Sequence, residues 1–194
     1  MSLIYLVRHG QTDWNAQYRL QGQLDTTLND TGRAQARRNG ETLKGLILDP
    51  DAFDFVASPL SRTRETMEII RDTMGLDPAG YRTDDLLKEI HFGDWQGSTW
   101  RELRETCPDD VAARFADSWN YVAPGEGGES FAMLSARSMN WLRAVERDTV
   151  VVTHGGVNRC VRGHLEKLDL AEVPHLKVPQ DRILIIDNGE TSWV

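Results

Sequence analysis

The chain has 194 residues, 40% of them hydrophobic and 27% charged, and a formal net charge of −8 at pH 7. This size and composition predict one globular domain over residues 1–194, able to bury a core of its own. The acidic balance argues against nucleic acid or an anionic membrane as a partner, because both favour basic surfaces. No apolar segment approaches the roughly 20 residues that span a bilayer, and the first apolar run is too short for a signal peptide. We therefore expect a cytoplasmic protein whose two cysteines, Cys107 and Cys160, are free thiols.

Four apolar runs predict buried strands, at residues 3–7, 53–57, 149–153 and 183–186. Their continuous Val, Ile and Leu character favours a largely parallel sheet that is covered on both faces. Segments of helical spacing lie between and after these runs, at residues 30–47, 61–74, 129–145 and 156–168.

The alternation of strands and helices predicts an α/β fold, doubly wound, with a mostly parallel sheet and helices on both faces. Asp30 or Thr31 is the candidate N-cap of the first helix, and Gly75 is the candidate stop of the second. Residues 95–128 are less regular, with short amphipathic pieces at 99–106 and 108–119. We expect this excursion to form a short cap over the site.

Three of the predicted strands end in polar residues that suit phosphate chemistry. These residues are Arg8, His9, Ser58, Arg62 and His154, and the backbone amides after Gly155 accompany them. Because the carboxyl ends of parallel strands meet at one edge of a sheet, we expect them to converge. Arginine binds phosphate as a planar fork, and histidine is a nucleophile or general base near neutral pH. One histidine at a strand end is more often an incidental polar residue, but three such ends together favour a phosphate site.

Six motifs follow one another along nearly the whole chain. They are Arg8-His9-Gly10-x-Thr12-x-Trp14-Asn15, Gln21-Gly22-x-x-Asp25, Ser58-x-Leu60-x-Arg62, Glu89-x-x-Phe92-Gly93-x-Trp95-x-Gly97, Gly128-Glu129-Ser130 and His154-Gly155-Gly156. On these motifs the chain resembles the histidine phosphatase superfamily, also called phosphoglycerate mutase-like, which implies that fold. Residues 95–100 and 123–131 also look somewhat like the alpha-ribazole phosphatase branch. His91 departs from the family pattern, and its role stays open.

The resemblance implies a catalytic role for five residues. His9 would attack phosphorus and form a phosphohistidine. Arg8, Arg62 and His154 would surround the phosphoryl oxygens, whose negative charge they stabilise in the transition state. Glu89 would protonate the departing alkoxide and later activate water. This chemistry needs no metal and no cofactor; the implied partner is a small phosphorylated substrate, and a homodimer is left open.

Six further residues are candidates for substrate binding. They are Thr12, Asn15, Gln21, Gly22, Ser58 and Gly155. Each of three side chains either contacts the phosphate or has a structural role. The structural role is to cap the turn for Asn15, to stabilise that turn for Thr12 and to hold its loop for Ser58. Arg159 either reaches the pocket rim or lies in solvent. His164 and His175 are expected to be surface or packing residues.

The motifs favour a histidine acid phosphatase-type phosphomonoesterase that hydrolyses a small phosphorylated metabolite. The alternative is a phosphoglycerate mutase-type phosphotransferase, which must also hold a carboxylate and a second phosphate near the mouth. Residues 97–128 offer three arginines against six acidic residues, and the mutases carry a larger insertion here, so we favour hydrolysis. A non-catalytic phosphate-binding module on the same fold is a third hypothesis. The complete set of five catalytic candidates argues against it.

Overall fold

All four predicted strands form in the computed structural model, which describes residues 2–194. Together with two unpredicted strands they make one sheet, whose members are β1 (Ile4–Arg8), β2 (Asp54–Ala57), β3 (Arg82–Thr83), β4 (Thr149–Thr153), β5 (Ile183–Asp187) and β6 (Glu190–Trp193). The strand order is β3-β2-β4-β1-β5-β6. β4 and β1 are therefore central neighbours, and the residues that follow them lie side by side.

The sheet is mostly parallel, as predicted. β1, β2, β3 and β4 run in one direction, whereas β5 pairs antiparallel with β1 and β6 pairs antiparallel with β5. The direction of β5 is not visible in the sequence, because a strand buried on both faces has the same apolar character either way. β3 has two exposed residues and β6 alternates between exposed and half-buried ones, so neither produces an apolar run.

Helices cover both faces of the sheet, which confirms the doubly wound α/β prediction. α2 (Asp30–Leu46) and α3 (Ser61–Met74) pack against the face that includes Tyr5 and Val7. α6 (Phe131–Arg143) and α7 (Gly155–Leu165) pack against the opposite face, which includes Ile4 and Leu6. Alternate residues of β1 thus contribute to two separate apolar cores.

The helix ends follow their capping residues. α2 begins after Asn29, whose side chain accepts a hydrogen bond from the Gly32 nitrogen, so the predicted caps Asp30 and Thr31 are wrong by one or two positions. α3 ends at Gly75, which adopts a left-handed conformation with φ of 82°. α6 starts later than predicted because Ser130 is its N-cap. A further helix, α1 (Asp13–Ala16), has four residues and is too short to give a periodic apolar pattern.

The expected cap contains two short helices, α4 (Trp100–Thr106) and α5 (Pro108–Ala116). They pack on a small apolar cluster formed by Trp95, Leu103, Val111 and Ala123. Trp100 of α4 and Arg114 and Phe115 of α5 line the same cavity as Arg8 and His9, which lie at the end of β1. Within residues 2–194, no helix combines the length and the apolar character needed to cross a membrane, and Cys107 and Cys160 are both free.

Candidate active site

The carboxyl ends of the central strands and the cap enclose a cavity of about 800 Å³, a size typical of small-molecule sites. Arg8, His9, Arg62 and Glu89 line it, although 81 residues separate the first of them from the last. His154 lies directly behind His9, with the two ring centroids 5.2 Å apart. The structure thus brings together the five residues that the resemblance marks as catalytic.

His9 is positioned as a neutral imidazole with one free nitrogen. Its side chain is buried, and Nδ1 lies 2.7 Å from the carbonyl oxygen of Gly10. A carbonyl can only accept, so Nδ1 carries the hydrogen and the lone pair is on Nε2. Burial, followed by the charges of Arg62 and Arg8, lowers the pKa of His9 well below its usual 6.5. The imidazole is therefore unprotonated at neutral pH and available as a nucleophile.

Two arginines are fixed around this histidine by backbone carbonyls. Arg8 Nη1 donates to the Val178 oxygen at 2.7 Å, and the two Nη groups of Arg62 donate to the Leu24 and Gly22 oxygens at 2.9 and 2.7 Å. Gly22 thus positions Arg62 through its carbonyl. Burial lowers the pKa of each guanidinium to about 10, which leaves both charged at neutral pH.

His154 is fully buried and does not itself line the cavity. Its Nε2 lies 2.8 Å from Ser58 Oγ, so Ser58 orients His154 instead of lining the cavity. Burial and then the charge of Arg62 lower the pKa of His154 well below 6.5. His154 also precedes the first residue of α7, Gly155, which does not line the cavity either.

Three buried polar atoms of this site have no hydrogen-bond partner within residues 2–194. They are Nε of Arg8, Nε of Arg62 and Nδ1 of His154. Buried polar groups in proteins are almost always paired, so three unpaired nitrogens on these side chains suit a ligand that brings hydrogen-bonding atoms of its own. Two cationic donors and one imidazole nitrogen fit the several acceptor oxygens of a phosphoryl group.

Glu89 reaches the cavity from the loop that precedes the cap. Its Oε1 and Oε2 accept hydrogen bonds from the Gly156 nitrogen at 3.1 and 3.2 Å, and Oε1 also accepts from the Ile90 nitrogen at 2.9 Å. The carboxylate therefore lies against the first turn of α7, at the positive end of the helix dipole. Its position depends on Gly156, where a Cβ atom would lie only 2.2 Å from Oε1.

Arg137, which sequence reasoning missed, fixes the backbone that carries Glu89. From α6 its guanidinium donates to the carbonyl oxygens of Leu86, Lys88 and Glu89. The same guanidinium pairs with both oxygens of Glu129 at 2.9 Å, and this pair is largely buried. No sequence signal marks Arg137, because it lies outside the motifs on a helix whose pattern reflects packing.

Glu129 and His91 complete the support of this loop. Besides its ion pair with Arg137, Glu129 Oε2 accepts a hydrogen bond from the His91 nitrogen at 2.8 Å. Glu129 therefore lies outside α6, which begins at Phe131. His91 Nδ1 accepts from the Gly93 nitrogen at 3.0 Å, and the ring does not line the cavity. This departure from the family pattern is therefore a turn residue in the structure.

The remaining candidates divide between cavity wall and turn. Gln21, Gly22 and Asn15 line the cavity, whereas Thr12 does not. Thr12 and Asn15 form a capping box for α1, in which each side-chain oxygen accepts from the other residue's backbone nitrogen at 3.1 Å. The capping alternative thus describes Thr12 fully. For Asn15 both alternatives remain compatible, because Oδ1 caps the turn while the side chain reaches the wall.

Arg159 lines the cavity, as one of its two alternatives predicted, and His175 is exposed but also lines the cavity, which the surface or packing expectation did not include. Further cavity residues were not among the sequence candidates and include Arg114, Gln180, Tyr18, Trp100 and Phe115. Gln180 Nε2 donates to the His9 carbonyl oxygen at 3.0 Å and to Asn15 Oδ1 at 3.2 Å, which ties the β1 turn to the segment before β5. Of these cavity residues, Arg159 alone could have been placed near the site from the sequence. It lies four positions after Gly155 and so on the same face of the predicted helix.

Comparison with known proteins identifies the family to which this chain belongs. The model of the histidine phosphatase superfamily (branch 1) matches residues 4–194. A metal-independent phosphoserine phosphatase of Arabidopsis thaliana is 40% identical over 163 residues, which are 81% of this chain and 66% of that protein. The matched region thus spans slightly less than two thirds of that relative's length.

A second relative is matched over more of its length. The glucosyl-3-phosphoglycerate phosphatase of Mycobacterium tuberculosis is 35% identical over 189 residues, 89% of this chain and 79% of that protein. Among solved structures, a mycobacterial glucosyl-3-phosphoglycerate phosphatase superposes with a TM-score of 0.77 at 30% identity, covering 100% of this chain and 96% of the other. With the family model matching nearly the whole chain, this protein belongs to the histidine phosphatase superfamily, branch 1.

Proposed function

We propose that this protein is a phosphomonoesterase that hydrolyses a small phosphorylated metabolite through a phosphohistidine on His9. The observation that carries the proposal is the trio of unpaired buried nitrogens on Arg8, Arg62 and His154 around a neutral imidazole. Nε–H of Arg8 and of Arg62 are donors without acceptors, and Nδ1 of His154 is a third donor in the tautomer whose Nε2 accepts from the Ser58 hydroxyl. Together they match the three non-bridging oxygens of a phosphoryl group. The phosphatases among the relatives support the same reaction class.

The first step transfers the phosphoryl group to the enzyme. The His9 Nε2–P bond forms while the bond from phosphorus to the leaving oxygen breaks, and Glu89 gives its proton to that oxygen. Arg8, Arg62 and His154 donate to the non-bridging oxygens, over which the negative charge of the transition state is spread. Removal of one such donor typically costs about 10²–10³ in rate.

The second step returns the enzyme to its starting state. A water oxygen bonds to phosphorus as the Nε2–P bond breaks, and the Glu89 carboxylate takes the water proton. Inorganic phosphate leaves, with His9 neutral and Glu89 protonated again. No step requires a metal ion or an organic cofactor.

The low pKa of His9 supports the acid phosphatase-type assignment. An ordinary histidine would be protonated, and so lose its nucleophilic lone pair, as the pH falls through about 6.5. Because burial and two arginines lower the pKa of His9, the imidazole stays unprotonated at pH values below 6.5. We therefore expect the phosphatase to work in mildly acidic solution as well as at neutrality.

The decisive experiment is turnover of p-nitrophenyl phosphate in the presence of EDTA. The wild-type protein should release phosphate, and His9→Ala should abolish the release, because the nucleophile is gone. His164→Ala is the matched control, since His164 is exposed on α7 and does not line the cavity. Near-normal rates for His9→Ala would refute the nucleophile assignment.

The mutase alternative has its own assay. The protein is incubated with 3-phosphoglycerate and a bisphosphate primer, and isomerisation is compared with phosphate release. We expect release to dominate, because residues 97–128 carry six acidic residues and three arginines, of which Arg114 alone lines the cavity. Isomerisation faster than phosphate release would show that the protein is a phosphotransferase of the mutase type and would refute hydrolysis as its main reaction.

A further inference from the structure

The cavity holds more positive charge than one phosphoryl group requires. Five arginines line it. Arg19 pairs with Glu102 at 3.1 Å, whereas Arg8, Arg62, Arg114 and Arg159 have no carboxylate within 4 Å among residues 2–194. Glu89 is the one acidic side chain that the described residues contribute to the wall. A phosphate monoester brings about 1.5 to 2 negative charges at pH 7. Four guanidinium groups facing one carboxylate therefore leave room for a further anion.

Arg159 is held beside Arg8 by the same segment of chain. Arg159 Nε donates to the Leu176 oxygen at 2.8 Å, and Arg8 Nη1 donates to the Val178 oxygen at 2.7 Å. The two guanidinium groups also lie at similar distances from Gly155. A Cβ atom placed on Gly155 would lie 3.5 Å from Arg8 Nε and 3.6 Å from Arg159 Nη1. Arg159 is therefore a fixed neighbour of the phosphoryl site.

The two Nη groups of Arg159 make no hydrogen bond within residues 2–194. Arg114, by contrast, donates through Nη1 to the Ser118 oxygen and lies over the Phe131 ring at 5.5 Å. Arg159 is thus the cation beside the phosphoryl site that offers both ends of its fork. Burial lowers its pKa, and an unpaired charge in such surroundings is costly unless a counter-charge arrives.

The position of Arg159 points to the leaving group of the substrate. Arg8, Arg62 and His154 already supply donors for the phosphoryl oxygens. Arg159 lies one helical turn further along α7, on the side where Pro174 and His175 line the cavity. An anion bound there would be attached to the phosphoryl group through the leaving oxygen and a short chain.

We propose that Arg159 binds a carboxylate on the leaving group, so that the preferred substrates are phosphomonoesters of small hydroxy acids. This inference rests on the phosphatase function proposed above. A carboxylate fits because its two oxygens match the two free Nη groups of one guanidinium in a bidentate pair. A second phosphoryl group is the other anion that could occupy this position, and the substrates of the test separate the two.

The test compares 2-phosphoglycolate with ethyl phosphate, which differ by a carboxylate in place of a methyl group. Their ratio of kcat/KM is measured in wild type and in Arg159→Gln. A charge-assisted hydrogen-bonded pair contributes about a 10- to 100-fold preference, so the wild-type ratio should exceed the Arg159→Gln ratio by that factor. The two substrates also differ in leaving-group chemistry, but that difference is the same in both proteins. It therefore cancels when the wild-type ratio is divided by the Arg159→Gln ratio. Arg159→Lys keeps the charge without the fork and should retain part of the preference.

Arg162→Gln is the matched control on the same helix. Arg162 pairs with Glu166 at 2.9 Å and does not line the cavity, so its replacement should leave the ratio at the wild-type value. If Arg159→Gln lowers kcat/KM equally for both substrates, Arg159 is only a phosphoryl ligand and the inference is overturned. A larger Arg159-dependent preference for ethylene glycol bisphosphate than for 2-phosphoglycolate would overturn the carboxylate assignment.

The proposed function fails in a different way. Its failure would appear as a wild-type protein that hydrolyses neither substrate nor p-nitrophenyl phosphate. Active hydrolysis of p-nitrophenyl phosphate, together with a substrate ratio that Arg159→Gln does not change, contradicts the Arg159 subsite alone.

Discussion

Gly156 tests whether the position of the Glu89 carboxylate limits the reaction. In the structure a Cβ atom on Gly156 would lie 2.2 Å from Glu89 Oε1 and 2.8 Å from a methyl carbon of Leu134. Ordinary contact begins near 3.4 Å, so Gly156→Ala must displace the carboxylate by about 1 Å, and a displacement of that size can cost about 10²-fold in rate. Both obstructing groups are ends of flexible side chains, so we expect the fold to persist.

The assay compares substrates that depend differently on a general acid. An alkyl phosphate needs a proton on its poor leaving group, whereas p-nitrophenyl phosphate does not. Gly156→Ala should therefore lower kcat/KM about 10²-fold for the alkyl phosphate and much less for p-nitrophenyl phosphate. The melting temperature should change little, because alanine is a better helix former than glycine.

The neighbouring Gly155→Ala is the matched control. A Cβ atom there meets its nearest neighbours at 3.5 and 3.6 Å, which is ordinary van der Waals contact, and does not touch Glu89. Its effect should not depend on the leaving group. Equal slowing of both substrates by Gly156→Ala, or a leaving-group dependence shared by Gly155→Ala, would refute the reasoning.

Two further predictions concern Arg137 and the histidines. Arg137→Gln removes the donors that hold the Glu89 backbone, so it should slow the hydrolysis of alkyl phosphates severalfold in the wild-type background. In the Glu89→Gln background it should add little to the loss. Additive losses in this double-mutant cycle would mean that Arg137 does not act through Glu89. Burial, Arg62 and Arg8 lower the pKa of His9 in the folded state. Below about pH 6.5 the unfolded chain therefore binds more protons than the folded chain. The free energy of unfolding should fall as the pH drops. His9→Asn should flatten this dependence by up to about 1.4 kcal/mol per pH unit, measured by urea unfolding between pH 5.5 and 7.5; identical slopes would contradict the lowered pKa.

The sequence predicted the elements whose physical signal is local. The buried strands and α3, with its terminal Gly75, carry patterns that a few neighbouring residues complete. The same holds for the polar strand ends, since parallel topology alone brings Arg8 and His154 to one edge of the sheet. The antiparallel direction of β5 could not be predicted, because its partner strand decides it.

The supporting parts of the site escaped prediction because their roles arise from tertiary contacts. Arg137 contacts carbonyls about 50 residues earlier in the chain, and nothing in its own helix distinguishes it from a surface arginine. Gln180 supports His9 from 171 residues away. Arg159 was recognised only as a residue that could face either way, since the Leu176 carbonyl that fixes it lies in an irregular segment.

The central claim is that His9 carries the phosphoryl group during turnover. Glu89→Gln should accumulate this intermediate from p-nitrophenyl phosphate, because the first step then needs no acid whereas the second still needs a base to activate water. The reaction is quenched in alkali, under which a phosphohistidine survives, and the phosphorylated peptide is identified by mass spectrometry. The account predicts one phosphoryl group on the peptide containing His9, and none in Glu89→Gln that also carries His9→Ala. A phosphoryl group on another residue, or turnover with no phosphoenzyme at all, would contradict it.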